Sequence, residues 1–464
     1  MRNDPPKGNL KVLSLPSLPM IEPCPRGTLE AGDRLIATSP SGRPYRHMQE
    51  SLIEAYAHFP ALMDADGAPW QLGNLYLLSL TLNNPPADFT TLLKTARSLA
   101  HFESTLRDRG LDLLSFPKRK ANRPTYAYHL YWMTETNLFP KKINTANAHI
   151  SRIIGFYRWL SESREFVPEH KTWEEKTARI GLAGSYGAFY QKEYKRTDLH
   201  VPSTSKGNHS DLRAYEESEQ KALIEALISI DNTEMTLGFF IALLSGARLQ
   251  SVFTMQVAAL PKEILTEIVA IPIGRGTHVD SKGDKQHILY LPKFLCEMLK
   301  TYLASDRYKN RVEKSLRKNQ ENEYVFLTRD GRPYYAKKND PYRSSYRTAA
   351  LGKAITTFIR QQLEPKLTKL GHPFTVRFHD LRATFGDNFV EEKLQLLNTG
   401  EISLSDLYTL VAERLGHSDI KVTETYINKV KKRKLAAISQ AKFEEHIQNQ
   451  IQRLFGELNA THNA

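Results

Sequence analysis

A chain of 464 residues, 41% hydrophobic and 10% aromatic, is long enough for two or three domains with separate cores, and its composition excludes disorder as the default for its body. Its 64 Lys and Arg against 51 Asp and Glu leave a formal charge of +13, which favours a polyanionic partner, nucleic acid being the commonest. Two cysteines far apart, Cys24 and Cys296, exclude a disulfide framework or a Cys-rich zinc site and fit a reducing cytoplasm. The opening Met1-Arg2-Asn3-Asp4-Pro5-Pro6 has no apolar run, so no signal peptide is expected. No stretch reaches membrane-spanning length, and no membrane partner is expected.

Residues 1 to about 45, rich in Pro, Gly, Ser and Arg, read as extended or loosely packed. Residues 46 to about 84 read as partly helical, through Leu52, Ile53, Tyr56 and Phe59, then Leu72 to Leu82. Asn83-Asn84-Pro85-Pro86 is a break. After it, Phe89, Leu92, Leu93, Ala96, Leu99 and Phe102 recur at helical spacing. Further helices are expected over Pro124 to Thr136 and Thr145 to Ser161, the latter with Ile150, Ile153, Ile154, Tyr157 and Leu160 on one stripe. Residues 190–211 are polar and basic and predict a linker, whose Lys192, Lys195, Arg196 and Lys206 suit phosphate contact or plain solvation.

From Leu212 the pattern tightens. Glu216-Glu217-Ser218-Glu219 opens a helix, with carboxylates suited to its N-terminal dipole. Thr236 to Leu244 reads as a buried helix, Glu267 to Ile273 and His287 to Leu291 as strands joined by a Gly-containing turn, and Glu323 to Thr328 as another strand. Helices follow to the end. The last, with Phe443, Ile447, Ile451, Leu454, Phe455 and Leu458, is amphipathic. Lys118-Arg119-Lys120 with Arg123, and Lys431-Lys432-Arg433-Lys434, suit backbone phosphates; the run from Arg307 to Lys318 reads as a solvated face.

Four short motifs stand out in the second half: Ser245-Gly246-Ala247-Arg248, His379-Asp380-Leu381-Arg382, Leu415-Gly416-His417, and Tyr426 nine positions later. On a helix, His379 and Arg382 share a face, leaving the apolar stripe to Leu381, Phe385 and Phe389. Guanidinium forks suit phosphate oxygens, and a phenol gains nucleophilicity from cationic surroundings. Ser418 is expected to cap the helix leading to Tyr426. Tyr408 is the nearest competing tyrosine, but it precedes the Leu-Gly-His and fits the apolar helix of residues 404–415.

In order and spacing, these motifs resemble the tyrosine recombinase (phage integrase) family of site-specific DNA recombinases. The likeness is strong over residues 245–426, weaker over residues 87–165 and absent before about residue 85. It implies a mainly α fold with a small β-sheet. The expected division is an N-terminal extension (1–85), a helical core-binding domain (86–189), a linker (190–211), an α-rich catalytic domain (212–440) and a C-terminal amphipathic helix (441–464). It implies that Arg248 and Arg382 clamp the scissile phosphate. His379 would help the phenol lose its proton, His417 would donate to the phosphate and Tyr426 would attack. The family's acid is a lysine in a β-turn; Ser281-Lys282-Gly283-Asp284-Lys285-Gln286 is similar to that turn, with Lys282 preferred, Lys285 in reserve and Arg275 third.

The resemblance further implies a 3′-phosphotyrosyl intermediate, a 5′-hydroxyl leaving group, no requirement for metal or ATP, and a C-shaped clamp on double-stranded DNA. A homo-tetramer would act on two sites through a Holliday junction, with the C-terminal segment docked on a neighbouring subunit. The sequence leaves open whether an accessory DNA-bending protein takes part. Two departures stand out: Ser251 replaces an acidic residue that many members carry three places after the first arginine, and Glu391 to Ser405 reads as an insertion. A type IB topoisomerase-like enzyme and a catalytically inactive DNA-binding relative are the alternatives.

Overall fold

The computed structural model describes residues 8–23, 37–38, 44–48, 54–163, 166–183, 189–202, 213–319, 321–417 and 420–462. Cys24, Lys206 and Ser418 lie outside them, as do the side chains of Lys192, Leu454, Phe455 and Leu458. The chain divides into two compact units, residues 1–208 with 344–348, and residues 209–343 with 349–464. Both are dominated by helices, and each sheet among the described residues has two or three strands.

In the first unit, β1 (Lys11–Pro19) pairs antiparallel with β5 (Ala55–Met63), and β2 (Ile21–Pro23), β4 (Pro44–His47) and β3 (Ala37–Thr38) form a second small sheet. Helices follow: α1 (Gln71–Thr81), α2 (Phe89–Asp108), α3 (Pro124–Leu138) and α4 (Ile143–Ser163). Asp88 caps α2 by accepting from the Thr91 amide at 2.6 Å, and Pro124 occupies the first turn of α3, where a missing N–H costs nothing. Phe59, Leu62, Trp70 and Leu77 share one core with Leu92, Leu99, Phe102, Tyr128, Phe156 and Tyr157. The described residues Phe59, Leu62, Trp70 and Leu77 therefore pack on the helices rather than standing apart.

Two expectations are corrected here. Tyr56 and Phe59 lie in a strand, not a helix; Pro60 would break a helix interior, whereas an almost continuous buried run suits a strand laid on α2. Residues 190–197 are not linker. They belong to β7 (Phe189–Thr197), paired antiparallel with β6 (Glu175–Ala183) from Glu175↔Thr197 to Ala183↔Phe189. Phe, Tyr and Thr in that segment favour a strand despite its charge.

The second unit begins with α5 (Glu217–Ile230), opened by a capping box between Glu216 and Glu219, and α6 (Thr233–Ser245). Next come α7 (Leu249–Phe253), the hairpin of β8 (Ile268–Ile273) and β9 (His287–Pro292), α8 (Lys293–Ala304) and α9 (Asp306–Lys314). α10 (Lys353–Phe358) passes through a π turn into α11 (Glu364–Lys369). The last three helices are α12 (Asp380–Asn398), α13 (Leu404–Leu415) and α14 (Ile420–His462). The main core gathers Leu223, Phe239, Phe253, Ile271, Leu291, Leu299, Phe326 and Leu381; a second, smaller one joins Phe385, Val390, Leu407, Val411, Leu415, Ile427 and Val430 from the last three helices.

Residues 323–328 are not a strand. They are held by an isolated bridge between Gln256 and Tyr324 and by the Val325 amide donating to the Met255 carbonyl at 2.8 Å. The basic run from Arg307 is not simply solvated either. Glu234 is fully buried and receives Arg307 at 2.8 Å and Arg311 at 3.0 Å, while Arg317 pairs with Asp340 at 2.8 Å. Buried carboxylates need such partners.

Candidate active site

Two helices end in the same way. α6 stops at Gly246, with φ +67°, and α13 at Gly416, with φ +56°; both adopt the left-handed C-cap that glycine reaches without strain. The carbonyls at such ends lack intrahelical donors and carry the negative end of the helix dipole. Arg382, from the first turn of α12, supplies both. Its Nη1 donates to the Gly246 carbonyl at 2.7 Å and its Nη2 to the Leu415 carbonyl. The side chain is buried, with the residue 4% exposed. One guanidinium thus ties the Ser-Gly-Ala-Arg motif to the Leu-Gly-His motif. Sequence spacing left Arg382 on an open face; the fold instead encloses it.

The turn after Gly246 sets Arg248 at the N-cap of α7, half-buried. Its guanidinium is held below its ordinary value by burial, an effect Tyr426 opposes. Burial, reinforced by Arg248 and opposed by Tyr426, pushes Arg382 down to about 10. A second guanidinium whose charge bears on Arg382 favours an anion beside both.

His379 sits at the N-cap of α12 and is exposed. Its imidazole is held below the usual histidine value by desolvation, then by Arg382, Arg248 and Lys282. His417, next to Gly416, is half-buried, with Nδ1 3.0 Å from the Thr423 hydroxyl. Burial and then the two arginines push it down to about 4, so it is neutral near pH 7.

Tyr426 lies in the second turn of α14. Its ring centroid is 5.5 Å from that of His417, the planes tilted by 35°. The ring leans on α12 at Gly386, where an added Cβ would stand 2.9 Å from Cε1. Burial raises the phenol above its ordinary value; Arg382 and Arg248 pull it down, while Asp387 pushes it up. Tyr408, like Tyr426, packs against the smaller core, and burial and Glu424 raise its phenol.

The β8–β9 connection contains a short turn at Lys282–Asp284, with Gly283 at φ +71°. The Ser281 hydroxyl donates to the Lys285 carbonyl at 2.5 Å, and the Gln286 side-chain amide to the Arg275 carbonyl at 2.9 Å. Lys282, Lys285 and Arg275 are all exposed, and Lys282 is the one whose charge bears on His379. Ser251 is buried one turn after Arg248 and 2% exposed.

Sequence reasoning missed three residues beside this constellation. His287, the first residue of β9, lies against Gly416, where a Cβ would come within 2.8 Å of its ring. Burial lowers its imidazole, a hydrogen bond to the Lys285 backbone opposes this, and Arg248 and Arg382 lower it further. Its place just after the turn lysines was the available signal. Gly386 and Asp387 carried none, because α12 reads as an ordinary amphipathic helix there.

Among the basic clusters, Lys118 and Arg119 are exposed, but Lys120 pairs with Glu174 at 2.5 Å. Arg123 is buried and donates to the carbonyls of Pro117, Lys118 and Lys171. Arg433 is paired with Asp387 and Glu391. Arg123 and Arg433 thus serve the protein itself. Among the described residues no helix is long and apolar enough to cross a membrane.

The phage integrase family model matches residues 215–433, which contain every side chain of the constellation. Among solved structures, the XerH site-specific recombinase bound to palindromic difH substrate after cleavage is 14% identical, covering 80% of this chain and 88% of that one at a TM-score of 0.45. The Tn1549 transposon integrase with transposon right end DNA is 13% identical, covering 79% and 99% at 0.45. A lambda integrase dimer on a COC′ core site is 13% identical, covering 77% and 94% at 0.42. No curated protein sequence matches the chain significantly.

Proposed function

We propose that this chain, whose residues 215–433 match the phage integrase family model, is a site-specific DNA recombinase that cuts and rejoins double-stranded DNA through Tyr426. The observation that supports this reading is that Arg382 bridges the Gly246 and Leu415 carbonyls, beside Arg248 and His417, while the Tyr426 ring lies 5.5 Å from that of His417. The phenolic oxygen attacks phosphorus as its proton leaves toward His379. Arg248, Arg382 and His417 hold the non-bridging oxygens as negative charge grows on them. The P–O5′ bond breaks, a 3′-phosphotyrosyl link forms, and Lys282 gives a proton to the departing 5′-oxygen. A 5′-hydroxyl from a partner duplex then attacks that link and releases Tyr426. The energy of the broken P–O5′ bond is conserved in the phosphotyrosyl link.

A phosphate entering the pocket supplies the negative charge that the two arginines lack, and it lets His417 act as a donor. Four copies acting on paired sites are the arrangement proposed here. Phe443 and Ile451 on α14, 59% and 49% exposed, offer an apolar surface for a neighbouring copy. The protein would act in the cytoplasm, on the nucleoid.

The test is a duplex nicked beside the scissile phosphate, so that the short cut strand diffuses away and the adduct is trapped. The unsubstituted chain is expected to form a covalent complex that maps to Tyr426. Tyr426→Phe is expected to bind the duplex without forming one; an adduct from that variant would mean a different nucleophile.

A further inference from the structure

The reading above depends on where α14 holds its tyrosine. Tyr426 and Arg433 are seven residues apart, two helical turns, and so share a face. Both meet α12. The Tyr426 ring abuts Gly386, while Arg433 Nη1 lies 3.1 Å from Asp387 Oδ2 and its Nη2 pairs with Glu391. Asp387 and Glu391 are one turn apart on α12, and Asp387 immediately follows the glycine that receives the phenol ring. Ile427 and Val430 are buried between these two points in the smaller core.

Apolar contacts of this kind are non-directional and tolerate sliding. A guanidinium spanning two carboxylates a turn apart does not, because its donors are fixed in a plane. An exposed ion pair would contribute little. Here the Arg433 side chain is half exposed but reaches in to Asp387, which is 1% exposed, and a buried carboxylate beside a phenol requires a cation. Arg433 is that cation.

We propose that Arg433 is a positioning residue: clasped to Asp387 and Glu391, it sets the register of α14 on α12 and so holds the Tyr426 hydroxyl in its own chain's pocket. The proposal rests on Tyr426 being the nucleophile. It also separates Arg433 from Lys431 and Lys432 beside it, which remain able to meet DNA phosphates.

The experiment measures single-turnover adduct formation on the nicked duplex over a range of protein concentrations, for the unsubstituted chain, Arg433→Met, Arg433→Lys and Asp387→Asn. Arg433→Met is expected to slow adduct formation at saturation on the order of 100-fold, the cost typical of a reacting group displaced by an ångström. Half-saturation and the salt dependence of binding should stay unchanged. Arg433→Lys, which keeps one pairing, should recover part of the rate, and Asp387→Asn should slow it. Combining Arg433→Met with Asp387→Asn should cost less than the sum of the two. A salt slope lower by about one phosphate contact would overturn the proposal, since Arg433 would then be gripping DNA. So would an undiminished rate in Arg433→Met when the unsubstituted chain forms its adduct. Failure of the unsubstituted chain to form any adduct would instead bring down the recombinase reading, and the proposal with it.

Discussion

Arg382 and Gly246 are 136 positions apart in sequence, yet the guanidinium of one donates to the carbonyl of the other at 2.7 Å. The same side chain also caps Leu415, so the two helix ends that present Arg248 and His417 are held by a residue that belongs to the pocket. On the proposed function, one group would serve both the chemistry and the fold. Lysine at this position keeps the charge but cannot span both carbonyls. Arg382→Lys is therefore expected to lower folding stability by about 1–3 kcal/mol, the cost of leaving a buried acceptor unpaired, and to abolish most adduct formation. Chemical denaturation and the nicked-duplex assay together check this. Stability unchanged in the lysine variant would mean that the carbonyls are satisfied without the fork.

Gly386 provides the space in which the phenol ring lies. A Cβ there would stand 2.9 Å from Tyr426 Cε1 and 3.1 Å from Cδ1, with Leu415 Cδ1 at 3.4 Å. Gly386→Ala is expected to displace the ring and cost ~1–3 kcal/mol by overpacking, although alanine favours a helix. Adduct formation should slow while duplex affinity is kept. Cleavage at the unsubstituted rate would show that the phenol reacts from another position.

Lys282 is the turn lysine whose charge reaches His379. Lys282→Ala is expected to slow cleavage of an ordinary duplex. A 5′-bridging phosphorothioate should restore the rate, because sulfur leaves without being protonated. Lys285→Ala should change little. If sulfur rescues Lys285→Ala instead, the acid is Lys285.

His417 connects stability to pH. Its ordinary value of 6.5 is pushed down to about 4 in the folded chain, by burial and then by Arg382 and Arg248. Between those values the unfolded chain binds the proton and the folded chain does not. The contribution from His417 is thus complete above pH 6.5 and is lost as pH falls toward 4. His379 and His287 are shifted in the same direction and add to the slope of the whole protein. Comparing thermal unfolding of the unsubstituted chain and His417→Gln from pH 7 to pH 4 isolates one residue. The unsubstituted chain should lose stability more steeply; parallel curves would show that the imidazole is not held neutral.

Much of this protein could be read from local pattern. The helical spacing of Phe89 to Phe102, the capping residues around Glu216, and the glycines ending α6 and α13 act within a few residues, so they are visible in sequence. The motifs also drew attention to Arg382, whose guanidinium reaches the carbonyls of Gly246 and Leu415. Local pattern misjudged Tyr56, Phe59 and residues 190–197, where pairing to another strand, far off in sequence for β5 and next along the chain for β7, decided the conformation. Solvation of single arginines was equally hidden. Arg123, Arg311 and Arg433 look like surface charges until buried carbonyls or carboxylates from other segments are placed against them. The burial of Arg382, the space at Gly386 and the approach of His287 to Gly416 belonged to the tertiary structure alone. Each depends on atoms dozens of residues or more away, and no periodicity or propensity carries that distance.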